Sequence, residues 1–165
     1  MGIIIRTMEQ SDWPAVAKIY QQGMDTNLAT FQLECPSHDH WNGFYLAQCR
    51  LVILSDDEIA GWAALSPFSS RDAYSGVAEV SLYMEQSFRG KGLGKRLFIS
   101  LIADSEQNGF WTLQSQIMEN NLASIRLHEA CGFRIVGFRE KIGRDRYGVW
   151  RNTVLMERRS SLLPA

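Results

Sequence analysis

The sequence predicts a mixed α/β fold in which strand-like and helix-like runs alternate along one domain. Three observations carry that reading. Between Val77 and Met84, the apolar Ala78, Val80, Leu82 and Met84 alternate with Glu79, Ser81 and Tyr83, which is the period of a strand. Leu93, Leu97, Phe98, Leu101 and Ile102 recur at helical spacing. Between the two runs stands Arg89-Gly90-Lys91-Gly92-Leu93-Gly94-Lys95, whose alternate glycines let a backbone turn sharply with its N–H groups directed inward.

The remaining elements follow in order. Ile3 to Arg6 reads as a strand, Ser11 as the cap of a helix through Gln22, and Ser37 as the cap of a helix running toward Cys49. Leu51 to Leu54 and Ile59 to Leu65 flank the turn-forming Ser55-Asp56-Asp57-Glu58 and read as a hairpin. A loop through Arg71 and Tyr74 leads into the Val77 strand. Beyond the glycine loop and its helix come a strand from Trp111 to Ile117 and a helix from Asn121 that ends before Gly132. Strands near Arg134 to Arg139 and Val149 to Glu157 complete the order. Residues 1–165 are expected to form a single domain, with 160–165 as a loose tail, because a chain of 165 residues has no room for two ordinary cores.

The glycine loop is built to hold an anion. A helix begins directly after it, and the unpaired N–H groups and partial positive charge of that helix start add to the flanking Arg89, Lys91 and Lys95. Spacing excludes two familiar phosphate loops. Gly90 to Gly94 is one residue short of a nucleoside-triphosphate loop, and Arg96 stands where its Mg-binding hydroxyl would be. The G-x-G-x-G spacing in mid-chain also departs from the dinucleotide fingerprint.

The loop resembles the pyrophosphate loop of the GCN5-related N-acetyltransferases. A second stretch, Asn120-Asn121-Leu122-Ala123-Ser124-Ile125-Arg126-Leu127-His128-Glu129, ending at Gly132-Phe133, is similar to another signature of that family. Within the family the chain resembles the small amino-acid N-acyltransferases that act on phosphinothricin and methionine sulfoximine. That likeness rests on Ala29-Thr30-Phe31, Trp41, Arg71-Asp72-Ala73-Tyr74, Ala78-Glu79-Val80-Ser81-Leu82-Tyr83 and Tyr147-Gly148-Val149-Trp150. The resemblance implies a central, mixed and mostly antiparallel sheet flanked by helices, acetyl-CoA as co-substrate without a metal, and a homodimer.

It also implies site residues. The cofactor is expected against the backbone of Leu82, Tyr83 and Met84, against Arg89, Gly90, Lys91, Gly92, Leu93, Gly94 and Lys95, and along a helix face carrying Asn121, Ser124 and His128. The amine acceptor is expected near Thr30, Phe31, Arg71, Asp72, Ala73, Tyr74 and Glu79. Amide formation requires the acceptor amine to lose a proton, and Glu79, a carboxylate in an apolar strand, is the candidate base; the alternative is an exposed or Arg-paired structural carboxylate. His128 is read either as the acid that protonates the departing thiolate or as a contact to the cofactor.

Bulk properties narrow the partners. A net charge of −1 gives no electrostatic footprint for nucleic acid or a membrane surface. Cys35, Cys49 and Cys131 are odd in number and form no C-x-x-C pair, so neither a disulfide framework nor a zinc site is expected. Met1 to Arg6 carries no long apolar segment, and a cytoplasmic enzyme is expected. Within the same chemistry the acceptor alternatives are a polyamine, an antibiotic or a protein N-terminus. A non-catalytic acyl-CoA-binding module is disfavoured by the presence of both Glu79 and His128.

Overall fold

The computed structural model describes residues 2–164. In chain order the elements are β1 (Ile3–Thr7), α1 (Trp13–Asp25), α2 (His38–Phe44), β2 (Leu51–Ser55), β3 (Glu58–Pro67), β4 (Val77–Met84), α3 (Leu93–Gln107), β5 (Thr112–Met118), α4 (Leu122–Ala130), β6 (Arg134–Arg144) and β7 (Trp150–Arg159). The strands form one sheet in the order β1-β2-β3-β4-β5-β7-β6, antiparallel throughout except for the β4–β5 pair.

Both faces of the sheet are covered because the central strands are apolar on both sides. On β3, Trp62 and Ala64 pack under α1 and α2 with Val16, Ile19, Tyr20, Met24, Trp41 and Tyr45. Their neighbours Ala63 and Leu65 point the other way, into a core with Leu97, Phe98 and Leu101 of α3 and Leu113 and Ile117 of β5. Each fully buried side chain of this size contributes roughly 1.5–3 kcal/mol relative to exposure, so the two apolar layers outweigh any single polar contact in fixing the sandwich.

Local chemistry sets the boundaries. The β2–β3 hairpin turns on Asp56 and Asp57, both at positive φ (48° and 69°), a conformation that short polar side chains tolerate and that matches strand twist. Gly132, at φ +88°, lets the chain leave α4.

Two expected caps resolve differently. Ser11 does not cap α1. Asp12 occupies that position with its carboxylate turned back, accepting from the Glu9 N–H at 2.7 Å and from both Arg6 Nη atoms at 2.8 and 2.9 Å. Ser37 does cap α2, accepting from the His40 N–H at 3.2 Å, but the helix stops at Phe44 instead of running toward Cys49. Arg50 draws it to that stop by donating to the Leu46, Asn42 and Tyr45 carbonyls and lying over the Trp41 ring. The expected tail is anchored at its first residue: Ser160 is buried, and its N–H donates to the Trp111 carbonyl at 2.8 Å.

The β4–β5 pair positions everything that follows. The two strands are paired only at Val77–Thr112, Ala78–Leu113 and Glu79–Gln114. Past Glu79, β4 stays with β3 through Met84 while β5 stays with β7 through Met118, so the sheet opens into a wedge.

Leu101→Ala tests the α3 core. Leu101 is fully buried, so truncation is expected to cost about 2–5 kcal/mol and lower the melting temperature in a denaturation experiment.

Candidate active site

A cavity of about 760 Å³ fills the wedge. One end is framed by the glycine loop, α3 and α4, and the other lies on the α1/α2 side of the sheet.

The glycine-loop end has the character of an anion cradle. Gly90 and Gly92 sit at φ +76° and +78°, where a side chain would be strained, and Gly92 is the residue from which α3 starts. Arg89 and Lys95 line the cavity, and neither forms an ion pair among the described residues. Arg89 donates from Nε to the Met84 carbonyl at 3.2 Å, which ties the loop to the end of β4. The backbone of Val80 to Met84 has no strand partner on the β5 side, leaving polar groups free to meet a bound chain of amide and thioester groups. This end therefore fits a pantetheine-linked pyrophosphate.

Most of the cofactor residues expected from sequence meet here. Leu82, Tyr83, Met84, Arg89, Gly90, Gly92, Gly94, Lys95, Asn121, Ser124 and His128 all line the cavity. Lys91 and Leu93 do not: Lys91 lies over the Phe88 ring, and Leu93 is buried in the α3 core. Asn121 both caps α4, accepting from the Ser124 N–H at 3.3 Å, and donates to the Leu28 carbonyl at 3.2 Å, so it holds the helix start to the loop after α1.

His128 is turned inward. Its ring packs edge-on between Phe98 and Phe133, with centroids at 4.9 and 5.0 Å. Nδ1 is 2.7 Å from the Ser124 carbonyl, which can only accept, so Nδ1 carries the proton and Nε2 accepts from the Ser115 hydroxyl at 2.8 Å. Burial pulls the imidazole down to about 4, against the opposing effect of the Ser124 hydrogen bond. A neutral ring with both nitrogens engaged has no proton free for a leaving group at neutral pH.

The α1/α2 end is polar and aromatic. Thr30 and Glu79 line it, together with Tyr20, Gln32, Phe44, Tyr45, Ser66 and Ser81, none of which is a site residue expected from sequence. Glu79 is the acidic side chain of the cavity wall, and Gln114 Nε2 lies 3.3 Å from its Oε1. Tyr45 donates to Ser81 Oγ at 3.0 Å, and Tyr20 donates to the Gln32 carboxamide. Burial raises both phenols above their ordinary range, so they are neutral donors and not bases.

The other expected acceptor residues lie elsewhere. Phe31 packs against Gly143 of β6, where an added Cβ would come within 3.0 Å of its ring. Arg71, Asp72, Ala73 and Tyr74 form an exposed turn between β3 and β4 that does not line the cavity, and Tyr74 stacks edge-on against Phe68 at 5.7 Å.

The loop after α1 is braced from a distance. Asp145, in the β6–β7 turn, is buried, yet four donors hold its carboxyl well below the usual range: Asn27 at 3.1 Å, Arg151 at 2.8 Å, and the Tyr147 and Val149 N–H groups at 2.9 and 3.0 Å. Arg146 donates to the Met24 carbonyl at 2.9 Å. Among the described residues no cluster of three or more His, Cys, Asp or Glu could hold a metal, and no helix is long and apolar enough to cross a membrane.

The buried imidazole makes stability depend on pH with a definite sign. Its folded value lies below the ordinary 6.5, so the unfolded chain binds the proton more tightly. The stability is therefore complete above about 6.5 and is lost as pH falls toward about 4, by roughly 3 kcal/mol from this group. Denaturation midpoints of wild type and His128→Gln should converge over that window; parallel curves would show that the ring is not held neutral.

Comparison with known proteins agrees with this geometry. The chain is 32% identical over 161 residues to a phosphinothricin N-acetyltransferase of Alcaligenes faecalis, covering 93% of this chain and 81% of that protein. It is 27% identical over 158 residues to an L-methionine sulfoximine/L-methionine sulfone acetyltransferase of Salmonella typhimurium, covering 93% and 92%. The crystal structure of a phosphinothricin acetyltransferase from Sinorhizobium meliloti in complex with acetyl-CoA superposes with a TM-score of 0.85 at 28% identity, covering 96% of this chain and 89% of that one. Residues 6–133 match the Acetyltransferase (GNAT) family, and the chain belongs to that family of acetyltransferases.

Proposed function

We propose that this enzyme transfers an acetyl group from acetyl-CoA to the primary amine of a small amino-acid-like acceptor, such as phosphinothricin or methionine sulfoximine. The observation that carries the reading is the position of Glu79. It is the acidic group of the cavity wall, and it stands where β4 and β5 part, between the anion cradle and the aromatic acceptor end.

Acetyl-CoA supplies an activated thioester carbonyl. The residues of the chain do the rest. Arg89, Lys95 and the N–H groups from Gly90 to Gly94 hold the pyrophosphate, with Gly92 keeping the backbone open to close approach. The unpaired edge of β4 past Glu79 offers N–H donors to the oxyanion that forms when nitrogen attacks. Glu79 accepts the ammonium proton so that the amine can attack. The thiolate leaves without help from His128, which serves instead to fix α4 against β5 through Ser115. The acceptor side chain lies among Tyr20, Phe44 and Tyr45.

A polyamine acceptor fits less well, because its additional ammonium groups would meet one carboxylate only. The proposed homodimer is supported by the exposed apolar side chains of the β6 edge and β7, including Phe138, Ile142 and Trp150. A cytoplasmic location is proposed from the free thiols Cys35, Cys49 and Cys131.

A turnover screen with acetyl-CoA over phosphinothricin, methionine sulfoximine, methionine sulfone, common L-amino acids and polyamines tests the substrate class. In the fastest acceptor, Glu79→Gln is expected to lower kcat/KM by roughly 10² to 10⁴-fold with unchanged CoA affinity, and the loss should shrink as pH rises and more amine is free. A near-wild-type rate at neutral pH would make the carboxylate structural. Gly92→Asp should weaken CoA binding in calorimetry without unfolding the chain, since it places like charge and a strained φ at the pyrophosphate; equal affinity would move the cofactor elsewhere.

A further inference from the structure

Four buried side chains on the cavity wall carry a hydroxyl: Tyr20, Tyr45, Ser66 and Ser115. Three are engaged within the protein. Tyr20 donates to Gln32, Tyr45 to Ser81, and Ser115 to His128. Ser66, only 3% exposed, forms no side-chain hydrogen bond with any described residue. Ser66 Oγ is not one of the fully enclosed polar atoms that lack a partner among the described residues, so it opens onto the cavity, where it is free to bond what the cavity receives.

Its place in the sheet says what that is. Ser66 of β3 is the direct cross-strand partner of Glu79 of β4, so the two side chains stand on the same face. Directly opposed residues have Cβ atoms about 4.5–5.5 Å apart, and the hydroxyl and carboxylate do not bond each other, so both remain available to one small polar group at the shared cavity wall. Glu79 Oε1 is engaged only by Gln114, at 3.3 Å, and its other oxygen accepts from no described residue.

We infer that Ser66 is a positioning residue for proton removal: its hydroxyl and the Glu79 carboxylate together hold the water that carries the proton from the acceptor amine. The inference rests on Glu79 being the base. The water accepts a proton from the ammonium group and passes one of its own to the Glu79 carboxylate, so that amine, water and carboxylic acid result from ammonium, water and carboxylate. Ser66 Oγ takes up the remaining hydrogen-bond direction of the water and keeps its lone pair aimed at the nitrogen. The hydroxyl itself neither gains nor loses a proton.

Ser66→Ala removes one oxygen from a buried small residue and is expected to leave the melting temperature and CoA affinity near wild type. With the fastest acceptor of the screen, it should lower kcat roughly tenfold, the worth of one hydrogen bond in the reacting assembly, with KM for the amine little changed. The decisive arm is the double mutant. On the Glu79→Gln background, Ser66→Ala should cost less than about twofold, because the water then has no base to serve. Ser66→Thr, which keeps the hydroxyl, should recover part of the rate. A full rate for Ser66→Ala, or the same tenfold loss with and without Glu79, overturns the inference while leaving Glu79 as base. A Glu79→Gln enzyme of wild-type rate overturns the base and this inference together.

Discussion

The site depends on a parting of neighbours. β4 and β5 share a parallel ladder for Val77 to Glu79 and then separate, each held by its other partner strand. Backbone hydrogen bonding strongly favours a closed sheet, so an opening of this kind persists only where both strands are fixed independently. Here the fixing is done by apolar packing: Ala78, Leu113 and Ile117 are anchored in the α3 core, and Tyr83 stacks on Trp62 in the opposite one. The two hydrophobic layers pull the strands to their places, and the backbone groups left over become the groups that a substrate can meet.

The wedge also connects the two faces of the sheet. On the α3 and α4 side the residues are cationic and glycine-rich, suited to a polyanion. On the α1 and α2 side they are aromatic and hydroxylic, suited to a small amine. Glu79 lies at the seam, flanked across the ladder by Ser66 and Gln114, of which Gln114 donates to its carboxylate. Acyl donor and acceptor can thus approach one carbonyl from opposite directions without competing for a wall.

Much of this was readable from sequence where local chemistry decides the outcome. The limits of β4, the Asp56-Asp57 turn, the glycine cradle and the Asn121 cap each follow from a period or a residue with a conformational preference. What escaped depended on tertiary register. Ser66 becomes interesting only when it is paired with Glu79, and the connection from Phe68 to Gly76 is too long to fix that pairing from turn chemistry. Tyr45 was hidden in a helix expected to continue, because the carbonyl-gathering role of Arg50 has no sequence pattern. His128 stands in the right stripe, but its inward rotation depends on Ser115 arriving from another strand. Arg71 and Phe31 carry a recognisable pattern, yet the one lies on an exposed turn and the other is taken up by packing on Gly143.

The loop that walls the acceptor end is not self-supporting. Asn27 is held by Asp145, Met24 by Arg146 and Phe31 by Gly143, so a segment early in the chain takes its shape from the β6–β7 hairpin more than a hundred residues later. On the proposed function, the wall of the acceptor pocket is therefore written in two distant stretches that must agree. Transplanting the early loop alone from a relative with another specificity would import side chains without their scaffold, whereas moving loop and hairpin together would carry the pocket as one exchangeable part.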